Sequence, residues 1–198
     1  MRISVKEITE SVLCRLNEVS ATYETGESIY GEPWMDLRDM IGRLIPEMAR
    51  EVILRADFSE LGEFNSLGGT PTVLARGEEK RMLLPLPSDY LRLVYIRMSD
   101  WLDTVTDVET RSRAELSYRR FLERRAGYES MGEPALRHTF FRGAKALEIL
   151  GSAEGSTVAE GGYLPEPVID PAGSLTFPPS LREALIESLT EKIKEIRG

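Results

Sequence analysis

The chain contains one histidine, His138, and one cysteine, Cys14. These side-chain types often serve as catalytic base or nucleophile, but a base needs a nucleophile or substrate proton within reach. His138 lies in a strand-like segment without a serine elbow or cysteine beside it. Cys14 lies off the apolar stripe of a predicted helix, which favours a partly buried structural position. One histidine and one cysteine also exclude an internal disulfide and every zinc site that needs two histidines or a cysteine cluster. We therefore expect no catalytic residues, metal or cofactor.

Two other patterns have simple structural interpretations. Acidic pairs recur at helical spacing and are typical of solvated helix faces, because unpaired carboxylates are rarely buried. A series of glycines superficially suggests a phosphate-binding loop, but no lysine follows Ser156 and Thr157, so a loop between strands is the preferred interpretation. The acidic pairs are Asp36 with Asp39, Asp103 with Asp107, and Glu187 with Glu191; the glycines are Gly151, Gly155, Gly161 and Gly162.

The most informative charge pattern lies between Arg111 and Arg125, where six arginines and two glutamates give a local charge of +4. Arginines in the last turn of a helix interact favourably with the helix dipole. They could also meet an acidic face on a neighbouring copy of the chain, because complementary patches fix register and orientation. A DNA-binding helix is the third alternative. The arginines that we assign to an interface are Arg119, Arg120, Arg124 and Arg125.

Length and composition restrict the class of protein. The chain has 198 residues, room for one domain, and its 25 basic and 33 acidic side chains give a net charge of −8. An acidic surface repels nucleic acid and argues against a protein that grips duplex DNA. Residues 1–10 carry charged side chains where a signal peptide has an unbroken apolar segment, and no segment is apolar over the length that is needed to span a membrane. We expect an intracellular protein that does not enter a membrane.

Capping signals and apolar periodicity predict four helices. Capping boxes at Ser4 with Glu7, Thr106 with Glu109, and Ser180 with Glu183 begin three of them, and Pro33 begins another that continues through Pro46 to about Arg55. The helices predicted from Thr106 and Ser180 end near residue 126 and at the end of the chain.

Short apolar segments separated by turn residues predict the strands. We expect a hairpin of residues 72–75 and 81–84, a rigid elbow over residues 85–90, and strands over 91–101, 137–141, 146–150 and 163–169. The predicted fold is α+β and mainly helical, a single domain over residues 1–198. Residues 1–56 and 178–198 form a helical bundle with helix 106–126, and residues 70–101 and 136–170 form a small antiparallel sheet.

Four segments resemble the head-to-tail connector proteins of tailed bacteriophages and prophages, also called adaptor or head completion proteins. The segments are MLLPLPSDYLRL at 82–93, the strand that follows it and ends at Trp101, YLPEP at 163–167, and PPSLREAL at 178–185. Their order and spacing, preceded by two amphipathic helices, carry the resemblance over most of residues 80–198.

The resemblance implies a structural virion protein that forms a ring, commonly of twelve copies, beneath the portal and contacts the next tail component. It implies assembly in the bacterial cytoplasm and a final place at the head–tail junction. DNA would pass through the ring without specific binding, because an acidic channel gains no counterion release. Besides the arginines, the interface residues that we expect are Tyr163, Pro165, Leu189, Ile193 and Ile196. The alternatives are a small cytosolic scaffold or regulatory binding protein of prophage origin and a small hydrolase that uses His138.

Overall fold

The fold is given by a computed structural model that describes residues 2–16, 37–76, 79–112, 115–116 and 134–197. The chain divides into two units. One contains Met1–Phe64 together with Glu166–Gly198, and the other contains Asn65–Pro165. The first holds the described α-helices and the second holds two β-sheets, so each is described separately.

The predicted fold class was wrong in its proportions. The described residues form three α-helices of 11, 19 and 16 residues and nine strands in three antiparallel sheets. The fold is therefore α+β with substantial sheet, and it is not mainly helical. The prediction underestimated the sheet because it interpreted residues 106–112 as part of a helix and treated the strands as an addition to the bundle.

The helical unit contains α1 (Val5–Arg15), α2 (Leu37–Arg55) and α3 (Arg182–Arg197). Each helix buries one apolar stripe. Helix α2 continues through Pro46 without interruption. Burial of these stripes supplies the main stabilising free energy, about 25 cal/mol for each Å² of apolar surface removed from water. The fully buried members of the stripes are Ile8, Val12, Ile41, Ile45, Ala49, Leu185, Leu189 and Ile193.

The structure confirms Ser4 as the N-terminal cap of α1, because the Ser4 hydroxyl accepts a hydrogen bond from the Glu7 amide. Cys14 is exposed on this helix, which corrects the expectation that it is partly buried. Two short strands, β1 (Ile3–Ser4) and β9 (Ser174–Leu175), pair beside the helices.

The predicted cap of the last helix was wrong. Residues Pro179–Leu181 form a 3-10 turn and α3 begins at Arg182. The Ser180 hydroxyl donates its hydrogen bond to the carbonyl of Glu60 instead of capping the helix. A distant backbone acceptor has replaced the local partner that the sequence pattern indicated.

The β unit contains a three-stranded and a four-stranded antiparallel sheet. The first has the order β2-β8-β5 and the second the order β3-β4-β7-β6. Side chains from both sheets form one core that includes Leu67, Leu84, Ile96, Trp101 and Leu147. The strand bounds are β2 (Asn65–Ser66), β3 (Thr72–Arg76), β4 (Glu79–Pro85), β5 (Tyr90–Met98), β6 (Ala135–Phe141), β7 (Ala144–Leu150) and β8 (Val158–Pro165).

These bounds confirm the predicted hairpin, now β3 and β4, and the strand that follows the elbow, now β5. The strand predicted over residues 163–169 begins earlier, at Val158, and ends at Pro165. Five of its eight residues are buried, which fits the central position of β8 between β2 and β5.

The helix predicted to begin at Thr106 does not begin there. Val105 exchanges backbone hydrogen bonds with Ile96, and the Glu109 amide donates to the carbonyl of Leu136. These amides extend the sheets and are unavailable to a helix. The capping pattern occurs six residues later, where the Ser112 amide donates to the Glu115 carboxylate and the Glu115 amide donates to the Ser112 hydroxyl.

No α-helix in the described ranges combines the length and the apolar content needed to cross a membrane.

Candidate functional site

The elbow between β4 and β5 brings together residues that are far apart in the sequence. Tyr90 begins β5 and lies opposite Pro165, the last residue of β8. Its ring stacks on Tyr163 with a centroid distance of 5.9 Å. The Tyr163 hydroxyl donates to the Asp89 carboxylate at 3.0 Å. The elbow is therefore tied to β8 by backbone pairing, ring stacking and a charge-assisted hydrogen bond.

His138 belongs to the same cluster. Its Nε2 lies 3.0 Å from the Tyr90 hydroxyl, and the two rings meet edge to face at 5.8 Å. The Lys145 ammonium donates to the Tyr90 carbonyl at 3.4 Å. We call these five residues, Asp89, Tyr90, His138, Lys145 and Tyr163, the elbow cluster.

The protonation of the elbow cluster follows from its burial. Burial raises the pKa of Tyr90 to about 12. The pKa of His138 is lowered, first by burial of the imidazole and second by the charge of Lys145. At neutral pH the Tyr90 hydroxyl is therefore protonated and the imidazole is neutral. Since the Tyr90 hydroxyl stays protonated, it can donate its hydrogen bond to the neutral imidazole and so link β5 to β6.

A second polar cluster lies on the other face of the four-stranded sheet. Glu148 on the central strand β7 is 1% exposed, and its carboxylate is held by two arginines, Arg81 of β4 and Arg137 of β6. Arg81 Nε donates to Oε1 at 2.7 Å, and Arg137 Nη2 donates to Oε2 at 2.6 Å. Burial alone would raise the pKa of Glu148, but the hydrogen bonds and charges of both arginines outweigh it and lower the pKa.

A third cluster closes the far end of the β unit. The Asp100 carboxylate accepts hydrogen bonds from the Ser152 hydroxyl at 2.7 Å and from the Ala153 amide at 2.6 Å. Burial opposes ionisation of Asp100, but these bonds and one from Ser156 outweigh it and lower its pKa. The indole of Trp101 donates to the Gly151 carbonyl at 3.0 Å. The loop predicted from the glycine series is thus held against the end of β5.

None of the three clusters places a serine or cysteine nucleophile against His138 among the contacts of the described residues. The described part of the chain also contains no group of three His, Cys, Asp or Glu side chains arranged to hold a metal ion.

The structure separates the residues that we assigned to an interface. Arg119, Arg120, Arg124 and Arg125 lie outside the described residues. Tyr163 and Pro165 are buried in β8, next to the elbow. Leu189 and Ile193 are fully buried in the helical unit, whereas Ile196 is 51% exposed.

Sequence reasoning missed the Arg81–Glu148–Arg137 cluster and the most exposed apolar side chains of the β unit. Leu102 is 97% exposed and Phe140 is 76% exposed. The pairing of Arg137 with Glu148 in this cluster could have been predicted from the register of the β6–β7 hairpin. Its two-residue turn at Arg142 and Gly143 places Arg137 opposite Glu148.

No protein-family model matches the sequence, and no curated protein is significantly similar to it.

Proposed function

We propose that the chain is a structural subunit of a tailed phage or prophage, a head-to-tail connector that assembles as a ring beneath a portal. The proposal rests on the resemblance of four sequence segments to connector proteins. The ring would form in the bacterial cytoplasm and remain at the head–tail junction of the virion. Duplex DNA would pass through it without specific binding, since the chain carries a net charge of −8.

One observation supports the proposal most directly. Three of the four segments that carry the resemblance meet in the β unit; the first two are continuous in the chain, and the third follows only after β6 and β7. Tyr90 of the first segment pairs with Pro165 of the third, and Asp89 binds the hydroxyl of Tyr163 across 74 positions. Trp101, at the end of the second segment, belongs to the same core. The parts of the chain that carry these segments therefore belong to one structural unit, which is consistent with the proposal.

The chemistry of the elbow cluster is consistent with an assembly role. Its polar groups are used in contacts between strands. The hydrolase alternative requires His138 to act as a base. Replacing His138 with glutamine keeps a hydrogen-bonding partner for Tyr90 and removes the base, so portal binding should survive this change.

The test is reconstitution with the portal ring encoded in the same genome. Purified chain and portal are mixed at micromolar concentration, the product is weighed by native mass spectrometry, and the complex is imaged by electron cryomicroscopy. We expect a ring of copies on one end of the portal and none on a portal from an unrelated phage. A folded chain that never joins its own portal, or joins both equally, would contradict the proposal.

DNA binding by the arginine-rich segment gives a separate check. The proposal predicts little affinity for duplex DNA at physiological salt. Tight binding that falls steeply with salt, and that Arg120→Glu and Arg124→Glu abolish, would support the nucleic-acid alternative instead.

A further inference from the structure

One end of the β unit presents an aromatic side chain beside two cations. The β6–β7 hairpin turns at Arg142 and Gly143, whose φ angles of 52° and 83° fit a type I′ turn. Phe140 precedes the turn and is 76% exposed. The guanidinium of Arg142 lies 5.1 Å from the ring centre of Phe141, and Lys145 follows the turn on β7. We call Phe140, Phe141, Arg142 and Lys145 the hairpin end.

The loop after β5 presents the opposite character. Leu102 is 97% exposed and is flanked by the exposed carboxylates of Asp100, Asp103 and Asp107. The nearest described cations along the chain lie beside other carboxylates: Arg97 is 2.6 Å from Glu160 and Arg111 is 3.8 Å from Glu109. We call Leu102, Asp100, Asp103 and Asp107 the acidic end.

The acidic end is held in a fixed shape. Asp100 is bonded to Ser152 and Ala153, the Trp101 indole is bonded to Gly151, and Val105 is paired with Ile96. The exposed Leu102 therefore projects from a loop that is anchored on both sides. The hairpin end is likewise fixed by its tight turn. Presenting an apolar side chain on an ordered element lowers the entropy that binding must overcome.

The register of β6 and β7 places the hairpin end at one extreme of the four-stranded sheet, and the bond from Trp101 to Gly151 places the acidic end, which follows β5 of the other sheet, near the opposite extreme. Phe141 and Ala144 close the hairpin, while Ala135 and Leu150 lie at its open end, next to Gly151 and therefore next to Trp101. Seven residues of strand separate them, which corresponds to roughly 20 Å at about 3.4 Å per residue.

We propose that the hairpin end of one copy docks on the acidic end of the next copy. Each end offers an exposed apolar residue, and their charges are opposite in sign. Complementary charges orient an encounter and suppress the wrong pairing, while the central apolar residues supply most of the binding energy.

We infer that the contact is head-to-tail, so that each copy binds a different neighbour with each end. Repeating such a heterologous contact gives a closed ring or a filament, whereas an antiparallel pair that joined both ends at once would stop at a dimer and contradict the inference. The inference rests on the proposed function in one respect, that a portal selects the closed ring. The contact itself can be tested without a portal.

The experiment uses two charge reversals and their mixture. Arg142→Glu reduces the formal charge of the hairpin end from +2 to 0, and Asp103→Lys reduces that of the acidic end from −3 to −1, so each variant alone should bind itself about tenfold more weakly than the wild type. Mixed in equal amounts, the two variants should associate again, because the unaltered hairpin end of the Asp103→Lys variant can bind the unaltered acidic end of the Arg142→Glu variant. Association is measured by sedimentation velocity over a range of concentrations and by the number of copies on the portal ring.

Two matched controls carry the same charge changes on α1. Lys6→Glu and Glu10→Lys alter the net charge equally but lie outside both ends, and they should leave association unchanged. A carbodiimide cross-link between Lys145 and Asp103, formed between isotopically light and heavy chains, would identify the contact directly. Thermal melts of all variants exclude unfolding as the cause of any loss.

The outcomes separate the two proposals. Portal rings that form normally with both variants would overturn this contact and leave the proposed function standing. Head-to-tail association in solution without any portal binding would support the contact and contradict the proposed function. Two further outcomes would overturn the inference. In the first, Arg142→Glu loses binding to duplex DNA while its self-association is unchanged, which would assign the hairpin end to phosphate contacts. In the second, the wild-type chain stays monomeric both in solution and with the portal.

Discussion

The buried carboxylate of Glu148 gives the sharpest prediction about stability. Its side chain is 1% exposed and receives hydrogen bonds from Arg81 and Arg137, whose side chains are 32% and 23% exposed. Glu148→Gln keeps the shape but removes the charge and turns an amide group toward arginine donors. Removing one partner of a buried ion pair costs about 3–5 kcal/mol. Because both arginines retain some contact with water, we expect a loss of about 2–4 kcal/mol in the free energy of unfolding.

The measurement is urea denaturation followed by the fluorescence of Trp101, which is buried in the core of the β unit. A Trp34→Phe background removes the other tryptophan. The matched control is Glu160→Gln, because Glu160 also pairs with an arginine, Arg97, at 2.6 Å but is 56% exposed. An exposed pair is worth about 0–1 kcal/mol, so the control should be nearly neutral.

The pH dependence provides the refutation. The folded pKa of Glu148 is lowered from its ordinary value of 4.5, so its contribution to stability is fully present above that value and is lost as the pH falls through the folded pKa. The difference in the free energy of unfolding between the wild type and Glu148→Gln should therefore be smaller at pH 3 than at pH 7. A gap that is equal at both pH values, or as small as that of Glu160→Gln, would refute the argument that the charge is responsible.

Three further predictions concern the β unit. Gly161→Ala should lower the free energy of unfolding by about 1–3 kcal/mol, because the new Cβ would lie 2.6 Å from the Leu67 carbonyl oxygen. The control in the same urea assay is Gly68→Ala, because a Cβ at Gly68 would have no atom within 4 Å. Arg142→Asn should raise the free energy of unfolding by up to about 1 kcal/mol, since asparagine tolerates the positive φ better, while weakening self-association. An absorbance titration at 295 nm should show a tyrosine with a pKa of about 12, and Tyr90→Phe should remove it. The free energy of unfolding of the wild type should fall above pH 10, because Tyr90 ionises at a lower pH in the unfolded chain than in the folded protein.

Local signals predicted local structure well and failed where a distant partner intervened. Ser4 caps α1 as expected because its partner, Glu7, is three residues away. Thr106 and Ser180 carry the same pattern, but the amide of Glu109 pairs with Leu136 and the hydroxyl of Ser180 binds the Glu60 carbonyl. Such competition depends on tertiary contacts, which a capping pattern does not contain.

The buried Glu148 shows a different limit. It alternates with Leu147 and Ile149, and an alternating strand usually turns its polar residues to water. Here the face opposite the core is also buried, as the full burial of Ala146 and the 1% exposure of Leu83 indicate. The cross-strand arginine follows from the hairpin turn, but the covering of this face does not follow from any local pattern.

The elbow cluster explains why widely separated motifs can mark one structural unit. Pro85 ends β4 and Tyr90 begins β5, so the chain must turn between the two sheets within a few residues. Asp89, in this turn, has a fixed acceptor position only because Tyr163 reaches it from β8. A change at either residue would therefore loosen the same turn. This coupling gives the 82–93 and 163–167 segments a physical reason to occur together, which composition alone does not supply.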